Sequence, residues 1–162
     1  MAYLFSLTGT RPGEPRTAVN PFTGEPGLYT PFVMSDEQHA AVVAVIKGHG
    51  GVVEAGTGRL AASGAELRFD DLGGPRCRVT IEGAIEPAIA VLFEIATAAR
   101  VVVMNEHEAC DEPVPVVTTA EAHAQAVASA FQDYPPELVD DVGRFLRVLL
   151  PGYDRMRAHD AS

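Results

Sequence analysis

At 162 residues, with 47% hydrophobic and 21% charged residues, the chain is long enough for one domain and too apolar for global disorder. Its net charge of −10 argues against nucleic acid and anionic lipid as partners, because both are themselves negative. No stretch approaches the roughly 20 apolar residues of a membrane-spanning helix, and the first residues lack the basic start of a signal peptide. We therefore expect a single cytoplasmic domain over residues 1–162.

The N-terminal part predicts a strand over residues 3–7, followed by an arm over residues 8–33 that is rich in proline and glycine. The prolines of the arm disfavour a helix or a central strand. Apolar residues are nevertheless spaced along it. We expect an ordered arm that lies across the body and buries these side chains: Val19, Phe22, Leu28, Tyr29 and Phe32.

A helix is predicted to begin after Ser35, because the spacing of Ser35 and Gln38 is that of a capping box. Gly48 is a suitable C-terminal stop. His39 falls on the apolar face of this helix and is most simply a hydrogen-bonded core histidine.

The middle of the chain is rich in predicted strands, the first of which is short and covers residues 52–54. The clearest feature is a β-hairpin of residues 66–70 and 76–82, in which apolar residues alternate inward and charged residues outward. A glycine-rich link over residues 56–64 precedes the hairpin. A helix over residues 86–99 and a buried strand over residues 101–104 follow it.

The outer face of this hairpin carries a possible anion site. If the turn pairs Asp70 with Arg76, the register also places Arg68 opposite Arg78. Like charges directly opposite each other are unfavourable unless a carboxylate or a bound anion lies between them. Arg68 and Arg78 are therefore candidate anion-binding residues, unless a glutamate of the same hairpin supplies the negative charge.

The C-terminal part predicts an acidic loop over residues 105–113 and a short strand over residues 114–117. Two helices follow. The first begins at Thr118, which has capping-box spacing with a glutamate, and the second lies between Pro135 and Pro151. We expect the tail over residues 153–162 to be frayed.

The element order is β-α-β-β, repeated once and followed by two helices. This order predicts an α+β fold with a mainly antiparallel sheet built from two βαββ-like halves. We expect the helices to pack on one face of the sheet, with two further helices at the C-terminal end.

Negative charge is concentrated between residues 101 and 143, a window that contains no lysine or arginine. Such a surface favours a partner with a basic surface. The predicted partner-binding residues are Glu106, Glu108, Asp111, Glu112, Asp140 and Asp141.

Metal binding and catalysis have weaker support in the sequence. His107 and Cys110 could supply two zinc ligands, but a zinc site needs three or four. No other His or Cys lies at a spacing from them that is typical of a zinc site. No nucleophile elbow or phosphate-binding motif is present. We therefore expect no cofactor, and we interpret the chain as a binding protein rather than an enzyme.

The best single interpretation is a small acidic bacterial binding module, such as an immunity protein that neutralises a basic partner. One alternative is a small-molecule-binding domain or metal-dependent enzyme that uses His107 or His39. A second alternative is a homo-oligomeric structural protein. The sequence does not decide the oligomeric state.

Overall fold

The structure is a computed structural model, and it describes residues 2–29, 32–106, 113–128 and 136–155. The strands, in chain order, are β1 (Ala2–Thr8), β2 (Arg11–Pro12), β3 (Arg16–Val19), β4 (Pro26–Tyr29), β5 (Phe32–Val33), β6 (Val52–Glu54), β7 (Thr57–Ala62), β8 (Ala65–Asp70), β9 (Arg76–Gly83), β10 (Val102–Asn105), β11 (Val116–Val117) and β12 (Glu137–Leu138). The helices are α1 (Asp36–Gly48), α2 (Ile85–Ala99), α3 (Ala120–Ala128) and α4 (Val142–Leu149).

Eight of these strands form one sheet in the order β12-β11-β10-β1-β9-β8-β7-β6. Every neighbouring pair is antiparallel except β11 and β12, which are parallel. The first strand lies in the centre, between β9 and β10. The predicted α+β fold with a mainly antiparallel sheet is therefore confirmed.

The main core lies between the sheet and the helices α1, α2 and α4. Strand residues two apart point to the same face, and on this face they are fully buried apolar side chains such as Phe5, Val79 and Ile81. The rings of Phe93 in α2 and Phe145 in α4 meet edge to face, with centroids 5.4 Å apart, which joins these two helices. This packing is the predicted arrangement of helices on one face.

Helix α3 contributes to a second, smaller cluster, in which Ala122 and Ala126 contact Val102 and Val117. Because Val103 belongs to the main core and neighbouring strand residues point to opposite faces, this cluster lies on the other side of the sheet. Beyond α3, that side carries polar residues of β7, β8 and β9. We call these residues the open face: Arg59, Glu66, Arg68, Asp70, Arg76, Arg78, Thr80 and Glu82.

One local prediction is confirmed and two are wrong. The capping box of α1 is present, with Ser35 and Gln38 each bonding the other's backbone N–H. The predicted link over residues 56–64 is instead the strand β7, so the first half contributes one strand more to the eight-stranded sheet than expected. The last helix begins only at Val142, because residues 137–138 form β12.

The start of the C-terminal tail is held in place rather than frayed. Tyr153 is 8% exposed, belongs to the main core, and donates its hydroxyl hydrogen bond to Glu86. Residues 153–155 form a helical turn. Among the described residues, no helix is long and apolar enough to cross a membrane.

The arm leaves the central strand at Gly9 and returns beside it. A Cβ on Gly9 would overlap the backbone of Val33, so this crossing requires glycine. The Thr8 hydroxyl donates to the carbonyl of Phe32 at 2.9 Å, and Phe32 packs against the second cluster. Between these two anchors the chain forms a separate hairpin of β3 and β4.

Candidate functional site

The β3–β4 hairpin, residues 16–29, has one apolar face. Its register pairs Thr17 with Leu28 and Val19 with Pro26, and these four side chains share a face because they are opposite or two residues apart. Val19 is 65% exposed and Leu28 is 78% exposed. The prediction that the arm buries Val19 and Leu28 is therefore wrong. Phe32, farther along the arm, is partly buried against the second cluster, and the side chain of Tyr29 lies outside the described part of the chain.

The tip of the hairpin is well defined. The Asn20 side-chain oxygen accepts hydrogen bonds from the backbone N–H groups of Phe22, at 2.8 Å, and of Thr23, at 3.3 Å. The backbone N–H of Asn20 donates to the carbonyl of Glu25 at 2.9 Å. This turn holds the Phe22 ring 95% exposed, again in contrast to the predicted burial.

The hairpin is a two-stranded ribbon with nothing packed on its apolar face among the described residues. Isolated two-stranded ribbons are marginally stable in water. Large apolar side chains grouped on an exposed element are typical of protein interaction surfaces. Of the surfaces that the structure describes, this one is the best candidate for contact with another protein.

The first acidic residue of the predicted patch is engaged inside the molecule. Glu106 accepts a hydrogen bond from the Ser6 hydroxyl at 2.9 Å and lies 3.5 Å from the Arg76 guanidinium. Ser6 is 1% exposed, so Glu106 satisfies a buried hydroxyl as well as an arginine. Because both contacts are within the chain, the Glu106 carboxylate stabilises the fold and is less available to a partner.

Other acids of the window are also engaged. Arg144 bonds Glu137 at 2.6 Å, and the Asp141 side chain accepts from the backbone N–H of Arg144 as the N-cap of α4. Asp140 is exposed, and it has no ion pair among the described residues. Asp140 is therefore the described member of the predicted patch whose charge is most available to a partner.

Several predicted site residues lie outside the described residues. They are Glu108, Asp111 and Glu112 of the acidic loop, together with the two weak metal-ligand candidates, His107 and Cys110. For these residues the sequence predictions stand as predictions.

The predicted pairing of Arg68 with Arg78 is wrong. The hairpin of β8 and β9 exists, but its register is shifted by two residues, so Arg78 lies opposite Asp70. Arg68 lies opposite Thr80, and its Nε donates to Asp70 at 3.1 Å. The like-charge neighbour of Arg68 is instead Arg59, on the strand at its other side.

His39 is hydrogen-bonded, as the simpler interpretation predicts, but it is only partly buried and is not one of the core residues. Its Nδ1 accepts a hydrogen bond from the backbone N–H of Gly73 at 3.3 Å, which ties α1 to the turn between β8 and β9. In the part of the chain that the structure describes, no group of three or more His, Cys, Asp or Glu side chains is placed to hold a metal ion. Cys77 is fully buried, and burial, with added effects of Asp70 and Asp71, raises the pKa of its thiol to about 12.

A polar cleft of about 660 Å³ lies where α1 begins and α2 ends. Its walls are linked to one another: the Gln38 amide donates to the Arg100 carbonyl at 3.1 Å, and the Arg100 guanidinium donates to Glu121 at 2.7 Å. At the side of the cleft, the Thr10 hydroxyl donates to Gln125 at 2.8 Å. These bonds join the arm and three helices, so we interpret the cleft as structural.

The sequence-based expectation of a buried arm misses the exposed hairpin. The available signal was period-two spacing, with Thr17 and Val19 on one side of the turn and Pro26 and Leu28 on the other. The prolines concealed this signal because they usually mark positions outside a strand.

Comparison with protein-family models, with curated proteins and with solved structures finds no match to this chain.

Proposed function

We propose that this chain is a cytoplasmic protein-binding module that neutralises a basic protein partner, in the manner of an immunity protein. The observation that carries the proposal is the β3–β4 hairpin, which holds Val19, Phe22 and Leu28 exposed on a defined turn. A surface of this kind binds by inserting apolar anchors into pockets of the partner.

The anchors are suited to that role by their shape. An aromatic side chain such as Phe22 offers a large contact area and loses little rotamer entropy on binding. Because the hairpin turn is already bonded through Asn20, ordering of the loop costs less on association. We expect Phe22 to lie at the centre of the interface, with Val19 and Leu28 beside it.

Charge is expected to act on the rate of association. A net charge of −10 attracts a cationic partner over several ångströms, and this attraction weakens as salt shortens the Debye length. Among the described acids, Asp140 is the best residue for testing this effect of charge. Charge reversal at Glu106 or Asp141 would also break hydrogen bonds that stabilise the fold. The free, buried thiol of Cys77 suits the reducing compartment that we propose.

The experiment begins with the proteins encoded beside this chain's gene, because immunity proteins and their targets are expected to be produced together. Each neighbour is purified, and its association with the wild-type chain is followed by biolayer interferometry over a range of salt concentrations. The proposal predicts binding to a basic neighbour, with an association rate constant that falls as salt rises.

Two variants separate the two parts of the proposal. Phe22→Ser is expected to increase the dissociation rate, and Asp140→Lys is expected to slow association with little change in dissociation. Failure of every neighbour to bind, or binding to a neighbour with no dependence on salt, would contradict the proposed function.

A further inference from the structure

The open face carries two like-charge pairs of opposite sign. The register of β7 and β8 places Arg59 directly opposite Arg68, and that of β8 and β9 places Glu66 directly opposite Glu82. All four side chains are exposed. Each pair alone is unfavourable, since like charges opposite each other on neighbouring strands repel.

The two pairs are neighbours on the same face. Arg68 and Glu66 are two residues apart on β8, which separates their Cα atoms by about 7 Å. Among the described residues, no ion pair links Arg59 or Arg68 to Glu66 or Glu82, and Arg68 instead bonds Asp70 at 3.1 Å. The face therefore has a positive part and a negative part side by side.

A groove of about 540 Å³ brings parts of both pairs together. Arg59, Glu66 and Glu82 line it, and most of its remaining walls are glycine and alanine. One wall is the chain at Gly51, where an added Cβ would lie 2.6 Å from the Arg59 carbonyl oxygen. The volume is in the range of small-ligand sites, and the small walls leave the three charged groups accessible.

We propose that this groove binds a small zwitterion that carries a carboxylate and an ammonium group. The guanidinium of Arg59 donates paired hydrogen bonds to the carboxylate, which suits the planar geometry of both groups. The carboxylates of Glu66 and Glu82 accept from the ammonium group, and the ligand relieves the repulsion within each pair. This site is separate from the hairpin and does not depend on the proposed function.

Three probes of similar size test the proposal: γ-aminobutyrate, which carries both charges, butyrate, which carries only the negative one, and butylammonium, which carries only the positive one. Binding is measured with the full chain by NMR, from the shifts of backbone amides in β7, β8 and β9. We expect γ-aminobutyrate to bind at least about tenfold more tightly than either of the other two probes.

Variants test which residues bind the carboxylate of the ligand and which bind its ammonium group. Arg59→Gln is expected to reduce the affinity for γ-aminobutyrate to that for butylammonium, and Glu82→Gln to reduce it to that for butyrate. Glu25→Gln, which removes an exposed carboxylate from the hairpin, is the matched control and is expected to leave the affinity unchanged. Glu66→Gln is a second variant for the case in which Glu82→Gln alters the fold.

Equal affinities for γ-aminobutyrate and butyrate, or for γ-aminobutyrate and butylammonium, would overturn the proposal. So would the absence of saturable shifts with all three probes, or a loss of affinity in Glu25→Gln as large as that in Arg59→Gln.

Discussion

The central sheet and the β3–β4 hairpin use the same kinds of side chain in opposite ways. Phe5 lies in the centre of the sheet and is fully buried, whereas Phe22 at the hairpin tip is 95% exposed. In the sheet, alternate residues are covered by three helices, so apolar surface stabilises the fold. In the hairpin no described element covers the apolar face, so the same surface is available to a partner.

Stability and binding are therefore expected to be separable in the molecule. Substitutions in the sheet are expected to change the free energy of unfolding, and substitutions in the hairpin are expected to change affinity.

Phe5→Ala is expected to destabilise the protein by about 3–5 kcal/mol, because it removes a fully buried ring and leaves a cavity. Phe22→Ala removes the same atoms from an exposed position and is expected to change stability by less than about 0.5 kcal/mol. Urea unfolding followed by circular dichroism measures both values. Similar losses in the two variants would show that the hairpin packs as tightly as the sheet.

Val19→Ser is expected to weaken binding to the protein partner by roughly tenfold, since it removes an apolar contact beside Phe22. Val52→Ser is its matched control, because Val19 and Val52 are both valines in short strands, at 65% and 61% exposure. Affinity is measured by isothermal titration with the partner. Equal losses of affinity in the two variants would show that the hairpin is not part of the interface.

Asp141→Ala is expected to cost about 1 kcal/mol of stability, since Asp141 is the N-cap of α4 and accepts from the backbone N–H of Arg144. Asp140→Ala, one residue earlier, is expected to leave stability unchanged within about 0.5 kcal/mol. Thermal unfolding distinguishes these values. A loss at Asp140 equal to that at Asp141 would mean that Asp140 is structural and not available to a partner.

The free energy of unfolding is expected to fall in alkaline solution, partly because the Cys77 thiol ionises more readily in the unfolded chain. Its pKa is about 12 when folded and near 9.0 otherwise, so the unfolded chain loses this proton first as pH rises. The stability that the neutral Cys77 thiol contributes is fully present below pH 9.0 and is lost as pH rises toward 12. Cys77→Ala is expected to lose less stability than the wild type over this interval, measured by urea unfolding at each pH. Identical slopes would contradict a buried neutral thiol.

The fold was predictable where local signals and burial agree. The capping box of Ser35 and Gln38, the alternation in the hairpin of β8 and β9, and the run of apolar residues before Met104 each indicate one structure. The register of that hairpin was not predictable from its turn. β9 begins at Arg76 because it pairs with β1 there, two residues beyond the last pair with β8.

Strands that depend on distant partners were also hidden. The sequence predicts a glycine-rich link at β7, because Gly56, Gly58 and Gly64 resemble loop residues, yet β8 and β6 pair with this strand on both sides. The predicted helix start near Pro136 fails because Glu137 and Leu138 pair with β11. Tertiary pairing overrides local propensity in both cases.

The candidate site was predicted only in part. Charge counting identified the acidic window, but it could not show that Glu106 bonds Ser6 and Arg76 while Asp140 stays exposed. The exposure of Phe22 also could not be read from the sequence, because an apolar residue in a loop is equally compatible with burial against the body.

Hydrogen exchange of the complex would show directly whether the hairpin forms the interface. Amide exchange is compared in the free chain and in the chain bound to its protein partner, in the hairpin and in the edge strand β6. We expect added protection over residues 17–28 and unchanged exchange over residues 52–54. Unchanged exchange in the hairpin of a fully bound chain would contradict the proposed interface.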